Sequence, residues 1–152
     1  MEIRLARPSE ADELTALAHR AKAAWGYPSE WMSRWRGELT FTADYIATHR
    51  AFVGVEGDAA VATCVLEDFE THWSIEHLWV SPEHQGEGIG RAMVEHARRH
   101  AQESRPGPIE VLSDPNAEAF YRRLGAERVG AEPAPMPGAP DRTLPKLRFA
   151  EA

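Results

Sequence analysis

Cysteine and long apolar runs are the two scarcest features of this sequence. Of its 152 residues only Cys64 is a cysteine, so no intrachain disulfide can form and a thiolate metal cluster is excluded. Residues 59–66 are the longest central run without charge or proline, far below the roughly 18 to 20 apolar residues of a membrane span. The N-terminus mixes charges of both signs and lacks a secretory signal pattern. We therefore expect a cytoplasmic protein with no membrane-crossing segment.

An excess of basic charge is also missing. The chain has 17 Lys and Arg against 24 Asp and Glu, a formal net charge of -7. This balance argues against a partner that is nucleic acid or an anionic membrane, because both are bound through basic patches. An acidic ligand would need a local site. Because 43% of the residues are apolar, we expect one domain over residues 1–152.

The periodicity of apolar residues predicts an α/β protein. In the first half we expect a strand over residues 2–7 that buries Ile3 and Leu5. We then expect a helix from an N-cap at Ser9 to about Ala24, a second helix from an N-cap at Ser29, and a short helical piece after Thr42. Three strands should follow within residues 51–80, with the first two joined by a Gly57-Asp58 hairpin.

The second half continues the alternation of helices and strands. We expect a helix that buries Ile89, Met93, Ala97 and Ala101 and pairs Glu95 with Arg99. A strand over residues 109–112 and a helix from Asp114 or Asn116 to Leu124, capped by Gly125, should follow. The remaining residues should form an extended segment over 126–129, a long proline-rich surface loop over 130–142 and a last strand over 144–149.

The informative segment is the glycine-rich stretch over residues 85–90, which joins an apolar strand to a helix. Free amides at a helix N-terminus can hold a phosphate group, and Arg91 in the first turn could add a charge. The alternative is that the glycines only form a tight turn. The dinucleotide fingerprint fails because Arg91 or Met93 stands where its third glycine is required, and no Walker loop occurs.

The string V-x-P-x-x-Q-G-x-G-I-G over Val80 to Gly90 resembles the acetyl-CoA motif of the GNAT superfamily of N-acetyltransferases. The string from Asn116 to Gly125 and Ala126 resembles the second signature of the family, which usually has an aromatic residue where Ala126 stands. The resemblance implies an α/β, GNAT-type fold over the whole chain: a central mixed, mostly antiparallel sheet of about seven strands, in the order β-α-α-β-β-β-α-β-α-β-β, with helices on both faces.

The resemblance also implies roles in binding acetyl-CoA, the expected co-substrate. Asn116 would bond the pantetheine arm, and the backbone near Leu78, Trp79 and Val80 would pair with that arm. The pyrophosphate would be held by the backbone amides of Gln85, Gly86, Glu87, Gly88, Ile89 and Gly90.

Tyr121 and Glu76 are the expected catalytic residues for direct attack of an amine on the thioester in a ternary complex. Tyr121 would protonate the departing thiolate, although a core aromatic is the alternative for this residue. Glu76 would be the base or would position a water molecule, and a structural carboxylate is its alternative. His77 is a weaker candidate because a regular strand points it to the opposite face. Cys64, in an apolar strand, is expected to be a buried and inert thiol.

Aromatic residues in the first helices are candidates for binding the acceptor. Trp25, Tyr27 and Trp31 could line the acceptor pocket, or the helical spacing of Trp31 and Trp35 could simply pack rings on the sheet. We expect no metal, since His96 and His100 lack a clear third ligand.

Three functions remain open on the sequence: acetylation of a small-molecule amine, acetylation of a protein or peptide, and non-catalytic sensing of acyl-CoA. Monomer and homodimer both fit.

Overall fold

The computed structural model describes residues 1–150. Short 3₁₀ turns occupy Pro8–Glu10, Pro82–His84 and Pro115–Ala117. The helices and strands are β1 (Glu2–Leu5), α1 (Ala11–Ala23), α2 (Ser29–Trp35), α3 (Ala43–Thr48), β2 (Arg50–Glu56), β3 (Ala59–Asp68), β4 (Trp73–Val80), α4 (Ile89–Ser104), β5 (Ile109–Leu112), α5 (Glu118–Arg123), β6 (Glu127–Pro133) and β7 (Thr143–Phe149).

The strands form one seven-stranded sheet in the order β1-β2-β3-β4-β5-β7-β6. The pairs β1–β2, β2–β3, β5–β7 and β6–β7 are antiparallel, whereas β4 and β5 are parallel and are connected through α4. The sequence-based expectation of a mixed, mostly antiparallel sheet of about seven strands is therefore confirmed. Among the described residues, no helix combines the length and the apolar character that a membrane crossing needs.

The chain divides into two compact units. The first contains Met1–Leu66 and His77–Ala97, and the second contains Glu67–Glu76 and the chain from Arg98 onward. The expectation of a single domain stays a prediction.

The first unit builds its core between helices α1 and α4 and strands β2 and β3. Leu14 and Leu17 of α1 are fully buried, as is Met93 of α4. Gly54 shows how closely α4 approaches β2, because a Cβ added there would lie 3.1 Å from the Met93 sulfur and 2.9 Å from that of Met1. A side chain at position 54 would therefore force the side chains of Met1 and Met93 to shift.

The second unit packs apolar residues of β5, α5 and β7 around Trp73 and Phe149, which are both fully buried. Beside this core lies a cluster of charges around Glu110, which is 7% exposed. Its carboxylate accepts hydrogen bonds from Arg148 and lies 3.6 Å from both His72 Nε2 and Lys146 Nζ. A buried carboxylate is tolerated here because three basic groups surround it.

Three sequence-based details at the N-terminal end are wrong. Ser9 is not an N-cap, because Pro8 starts a 3₁₀ turn and Glu10 occupies the N-cap of α1. Ser29 is the first residue of α2, and Pro28 is the N-cap. Leu5 is 58% exposed because β1 is an edge strand with β2 as its only neighbour.

Two expectations for the second half also need correction. The segment over residues 130–142 is not entirely a loop, since β6 continues to Pro133. Gly130 and Pro133 are tolerated within β6 because it is an edge strand of the sheet and pairs with β7. Glu95 pairs with Arg91 at 2.8 Å rather than with Arg99, because residue 91 also lies one helical turn away. The predicted inward residues of α4 are all buried.

Candidate functional site

Strand β4 carries the candidate base. Glu76 is exposed on this regular strand, and the Ser74 hydroxyl donates a hydrogen bond to its carboxylate over 2.8 Å. Ser74, which sequence reasoning missed, stands two positions before Glu76 and therefore on the same face of the strand. The ladder with β5 covers only Trp73, Ser74 and Ile75. Ser74 thus helps to hold the exposed carboxylate in place, and Glu76 stands where the parallel ladder with β5 has ended.

His77 lies on the opposite face of β4, as expected from the strand periodicity. Its Nδ1 accepts a hydrogen bond from the indole N–H of Trp79 over 2.9 Å. An indole nitrogen only donates, so Nδ1 must be unprotonated in this arrangement. The ring also packs against Phe41, with centroids 4.7 Å apart. These contacts give His77 a role in orienting Trp79.

The glycine-rich loop after β4 has the geometry of an anion cradle. Gly86 and Gly88 have φ angles of +79° and +80°, which residues with a Cβ rarely adopt. A Cβ added at either position would meet nothing within 4 Å, so the backbone conformation, not crowding, explains glycine here. The 16-residue helix α4 begins directly afterwards at Ile89. Its first amides lack partners within the helix and carry its positive end.

Side chains around the loop fix its shape more than they offer charge to a ligand. The Gln85 side chain folds back and donates to the Val80 carbonyl over 3.1 Å. The guanidinium of Arg91 bonds Glu95 on the exposed surface of α4. Ser81 is buried, and its hydroxyl donates to Glu83, which lowers the pKa of that carboxyl below its usual range. Anion binding by this loop would therefore rest mainly on backbone amides.

A group of possible metal ligands lies beside the loop and was missed by sequence reasoning. Ligand atoms of Glu56, His84 and Glu87 all lie within 4.8 Å of one another, and His84 Nε2 is 3.3 Å from the Glu56 carboxylate. One imidazole and two carboxylates form a donor set that zinc accepts. Both carboxylates are exposed, and such groups are common on surfaces without an ion. The expectation of no metal stays a prediction.

The second unit contains the other two polar candidates. Asn116 is exposed, and both its backbone and side-chain N–H groups donate to the Asp114 carboxylate, over 2.9 and 3.1 Å. Asp114 is thereby the N-cap of the turn that precedes α5. Tyr121 on α5 is 4% exposed and packs edge-on against Phe120 and Phe149, with centroids 5.1 and 6.4 Å away. Its ring has the packing of a core aromatic, and its role in catalysis stays a prediction.

Aromatic residues of α2 and the preceding turn form a cluster, as the sequence suggested. Tyr27 stacks on Trp31 at 5.6 Å and meets Trp35 edge-on at 4.9 Å. Trp35 is buried at 8% exposure, whereas Tyr27 and Trp31 are half-buried. Trp25 is 38% exposed and makes no ring contact among the described residues. Trp25 is therefore not part of the ring cluster that contains Tyr27 and Trp31.

The structure places Cys64 in the core and His96 against an aromatic ring. Cys64 is fully buried, and burial raises the pKa of its thiol to about 12. A thiol that remains protonated at neutral pH is a poor nucleophile, as the sequence predicted. His96, one of two histidines considered as zinc ligands, packs edge-on against Phe52 with centroids 4.8 Å apart.

Comparisons with known proteins agree with the fold. A family model described as "Acetyltransferase (GNAT) domain" matches residues 47–125, just over half of the chain. Over 94 residues the chain is 35% identical to streptothricin acetyltransferase from Streptomyces lavendulae, a match that covers 58% of this chain. The match spans only 50% of the length of that relative.

Two solved structures share the fold over nearly the whole chain. One is the PaiA N-acetyltransferase of Thermoplasma acidophilum in complex with coenzyme A, with a TM-score of 0.78, 14% identity and 98% coverage of both chains. The other is an aminoglycoside 6'-N-acetyltransferase complexed with coenzyme A, with a TM-score of 0.70, 17% identity, and coverage of 97% of this chain and 96% of that one.

Proposed function

The chain belongs to the GNAT acetyltransferase family, and from this premise we propose that it is an acetyl-CoA-dependent N-acetyltransferase of a small-molecule primary amine. The observation that carries the proposal is the open glycine loop, with Gly86 and Gly88 at positive φ directly before the N-terminus of α4. A loop of this kind favours a pyrophosphate through amide donors and the helix dipole.

The residues present fit the coenzyme. A Cβ at Gly86 or Gly88 would protrude into open space, so the backbone at these two positions is accessible to a ligand. Strand β4 continues from Glu76 to Val80 past its ladder with β5, so Leu78, Trp79 and Val80 can offer main-chain groups to an extended arm. Asn116 and Arg91 are exposed and can add side-chain contacts. Acetyl-CoA supplies the activated acetyl thioester.

Glu76 and Tyr121 divide the proton transfers of the reaction. An amine attacks only when neutral, so the exposed Glu76 carboxylate accepts the proton that the acceptor ammonium loses, directly or through water. As the nitrogen–carbon bond forms and the carbon–sulfur bond breaks, the Tyr121 hydroxyl donates a proton to the leaving sulfur. The products are the N-acetyl amine and coenzyme A, and both reactants are bound together during the transfer.

The named relatives support a small acceptor. One is a streptothricin acetyltransferase, and one of the similar solved structures is an aminoglycoside 6'-N-acetyltransferase. The aromatic cluster around Trp31 is also suited to a compact organic ligand, since pockets for small molecules are lined largely by apolar and aromatic side chains.

The first test is calorimetric titration with acetyl-CoA. We expect micromolar binding by the wild-type chain and loss of binding in Gly88→Glu, because the new carboxylate would repel phosphate. Gly57→Glu is the matched control: Gly57 also has positive φ, at +60°, and open space around it, but it lies in the β2–β3 turn. No binding by the wild-type chain, or equal loss in both variants, would contradict the proposed cradle.

Transfer is measured next, as release of free thiol from acetyl-CoA. The only cysteine is buried, so the folded protein contributes little background to a thiol reagent. Thiol release with small primary amines supports the proposed acceptor class, and release with peptides alone indicates a protein acetyltransferase. Tight acetyl-CoA binding without release to any acceptor would refute the enzyme and indicate a sensor.

A further inference from the structure

Lys22 places its ammonium among three aromatic rings of the first unit. Its Nζ lies 4.2 Å from the ring centroid of Trp35, 5.2 Å from that of Tyr27 and 5.9 Å from that of Trp79. These residues come from α1, α2, the intervening turn and β4. All three distances are within the roughly 6 Å over which a ring attracts a cation. We call Tyr27, Trp35 and Trp79 the cation cage.

The rings of the cation cage are held in place independently of Lys22. Trp79 is oriented by the hydrogen bond from its indole N–H to His77. Trp35 is fixed edge-on by Tyr27 and by Trp31, with centroids 4.9 and 5.8 Å away. Lysine, by contrast, has a long flexible stem and ordinarily extends its ammonium into water. The rings of the cage therefore have supporting contacts of their own, whereas the lysine stem has the rotatable bonds that would let its ammonium leave them.

An ammonium group is also what the proposed substrate would present. We propose that the cation cage is a binding subsite for an alkylammonium group of the acceptor, and that Lys22 occupies this subsite until the acceptor displaces it. This inference rests on the proposed function for the identity of the ligand. The observation behind it, however, is the occupied cage itself, which does not depend on coenzyme A.

The cage also restricts the chemistry of the acceptor. Rings around a nitrogen favour its charged form, and a charged nitrogen has no lone pair for attack on a thioester. The nitrogen bound in the cage is therefore not the one acetylated. The acceptor class that fits is a compact amine with two nitrogens: one that remains cationic in the cage and a second, primary amine that reacts.

The chain offers an internal reference for testing the cage, because Lys22 and Lys146 are its only lysines. Reductive methylation with ¹³C-formaldehyde labels both, together with the N-terminal amine, and preserves their charge. We expect the methyl resonance of Lys22 to lie upfield of that of Lys146, which sits beside a carboxylate. Titration with tetramethylammonium chloride should move the Lys22 resonance toward the Lys146 position, whereas matched sodium chloride should not.

Variants provide a second measurement. Lys22→Met removes the competing ammonium while it preserves the apolar stem. Tetramethylammonium should therefore bind about tenfold more tightly than to wild type, as measured by tryptophan fluorescence. Trp79→Leu should abolish this binding in the Lys22→Met background. Phe69→Leu is the control, because that exposed ring lies outside the cage and has no proposed binding role, and it should leave binding unchanged.

These experiments distinguish a failure of the cage proposal from a failure of the proposed function. Coincident lysine resonances, or no response of Lys22 to tetramethylammonium, would overturn the cage even if acetyl transfer to amines is observed. Equal affinity of wild type and Lys22→Met for the cation would overturn displacement of Lys22. Displacement of Lys22 without acetyl-CoA binding would refute the proposed function and support the cage.

Discussion

Removing the negative charge of Glu110 should destabilise the protein in a pH-dependent way. This carboxylate on β5 is 7% exposed, accepts a 3.0 Å hydrogen bond from Arg148 Nε and a second from Nη2, and lies 3.6 Å from Lys146 Nζ. His72 Nε2 is also 3.6 Å away. Glu110→Gln has nearly the same shape, so it removes the charge and at least one acceptor without leaving a cavity.

The size of the expected stability loss depends on how exposed the basic partners of Glu110 are. Deleting one member of a fully buried ion pair costs about 3–5 kcal/mol, because the other charge is left without compensation. Here the side chains of Arg148 and Lys146 are 47% and 40% exposed, so water recovers part of that loss. We therefore expect Glu110→Gln to lower the free energy of unfolding at pH 7 by about 2 kcal/mol.

The direction of the pH dependence follows from the pKa of Glu110. Burial alone would raise the pKa of this carboxyl, but the hydrogen bond from Arg148 and the charges of His72 and Lys146 outweigh burial and hold it below the ordinary 4.5. A carboxyl with a lowered pKa in the folded state stabilises fully above its unfolded-state pKa. That stabilisation is lost as the pH falls through the folded-state value. The difference between wild type and variant should thus shrink below about pH 4.5.

Urea denaturation followed by tryptophan fluorescence, at pH 7 and at several acidic pH values, measures this difference. Glu103→Gln is the control, because Glu103 is exposed on α4 and should change stability little at any pH. Equal stability of Glu110→Gln and wild type at pH 7, or a difference that persists unchanged in acid, would refute the reasoning.

Three further predictions test the core and the catalytic assignment. Gly54→Ala should lower the free energy of unfolding by about 1–2 kcal/mol because its Cβ meets two methionine sulfurs, while Gly37→Ala, with nothing within 4 Å, should not lower it. Cys64 should resist iodoacetamide at pH 8 until the protein is unfolded, because the pKa of its buried thiol is about 12, and rapid labelling of the native protein would contradict this. Tyr121→Phe should lower kcat by about 100-fold while the Kd for acetyl-CoA stays unchanged, and a fully active variant would remove Tyr121 from the mechanism.

Local sequence signals predicted the parts of the fold that local physics determines. The Gly57-Asp58 pair lies in the turn of the β2–β3 hairpin, and Thr42 caps α3 through a hydrogen bond to the Tyr45 amide. The inward face of α4 follows its apolar spacing. In each case the decisive contacts join residues within a few positions of one another.

The errors occurred where a neighbour far along the chain decides the outcome. The alternation of Ile3 and Leu5 predicts a buried face, but the position of β1 at the sheet edge leaves Leu5 exposed. Prolines near residue 133 predict a loop, yet pairing with β7 extends that segment as an edge strand. Periodicity alone contains no information about which strand lies at an edge.

The candidate site shows the same difference between features determined by local sequence and features determined by distant residues. Binding of the pyrophosphate would depend on backbone amides and on glycines such as Gly88, whose positive φ requires a particular residue type at a particular spacing, so a sequence motif records it. The cation cage depends instead on Tyr27, Trp35 and Trp79, and only tertiary packing brings these rings together around Lys22. Many arrangements of side chains could surround a cation, so this part of the site leaves no motif in the sequence. The acyl donor can therefore be inferred from a motif shared across the family, whereas the acceptor must be inferred from the tertiary contacts of the individual protein.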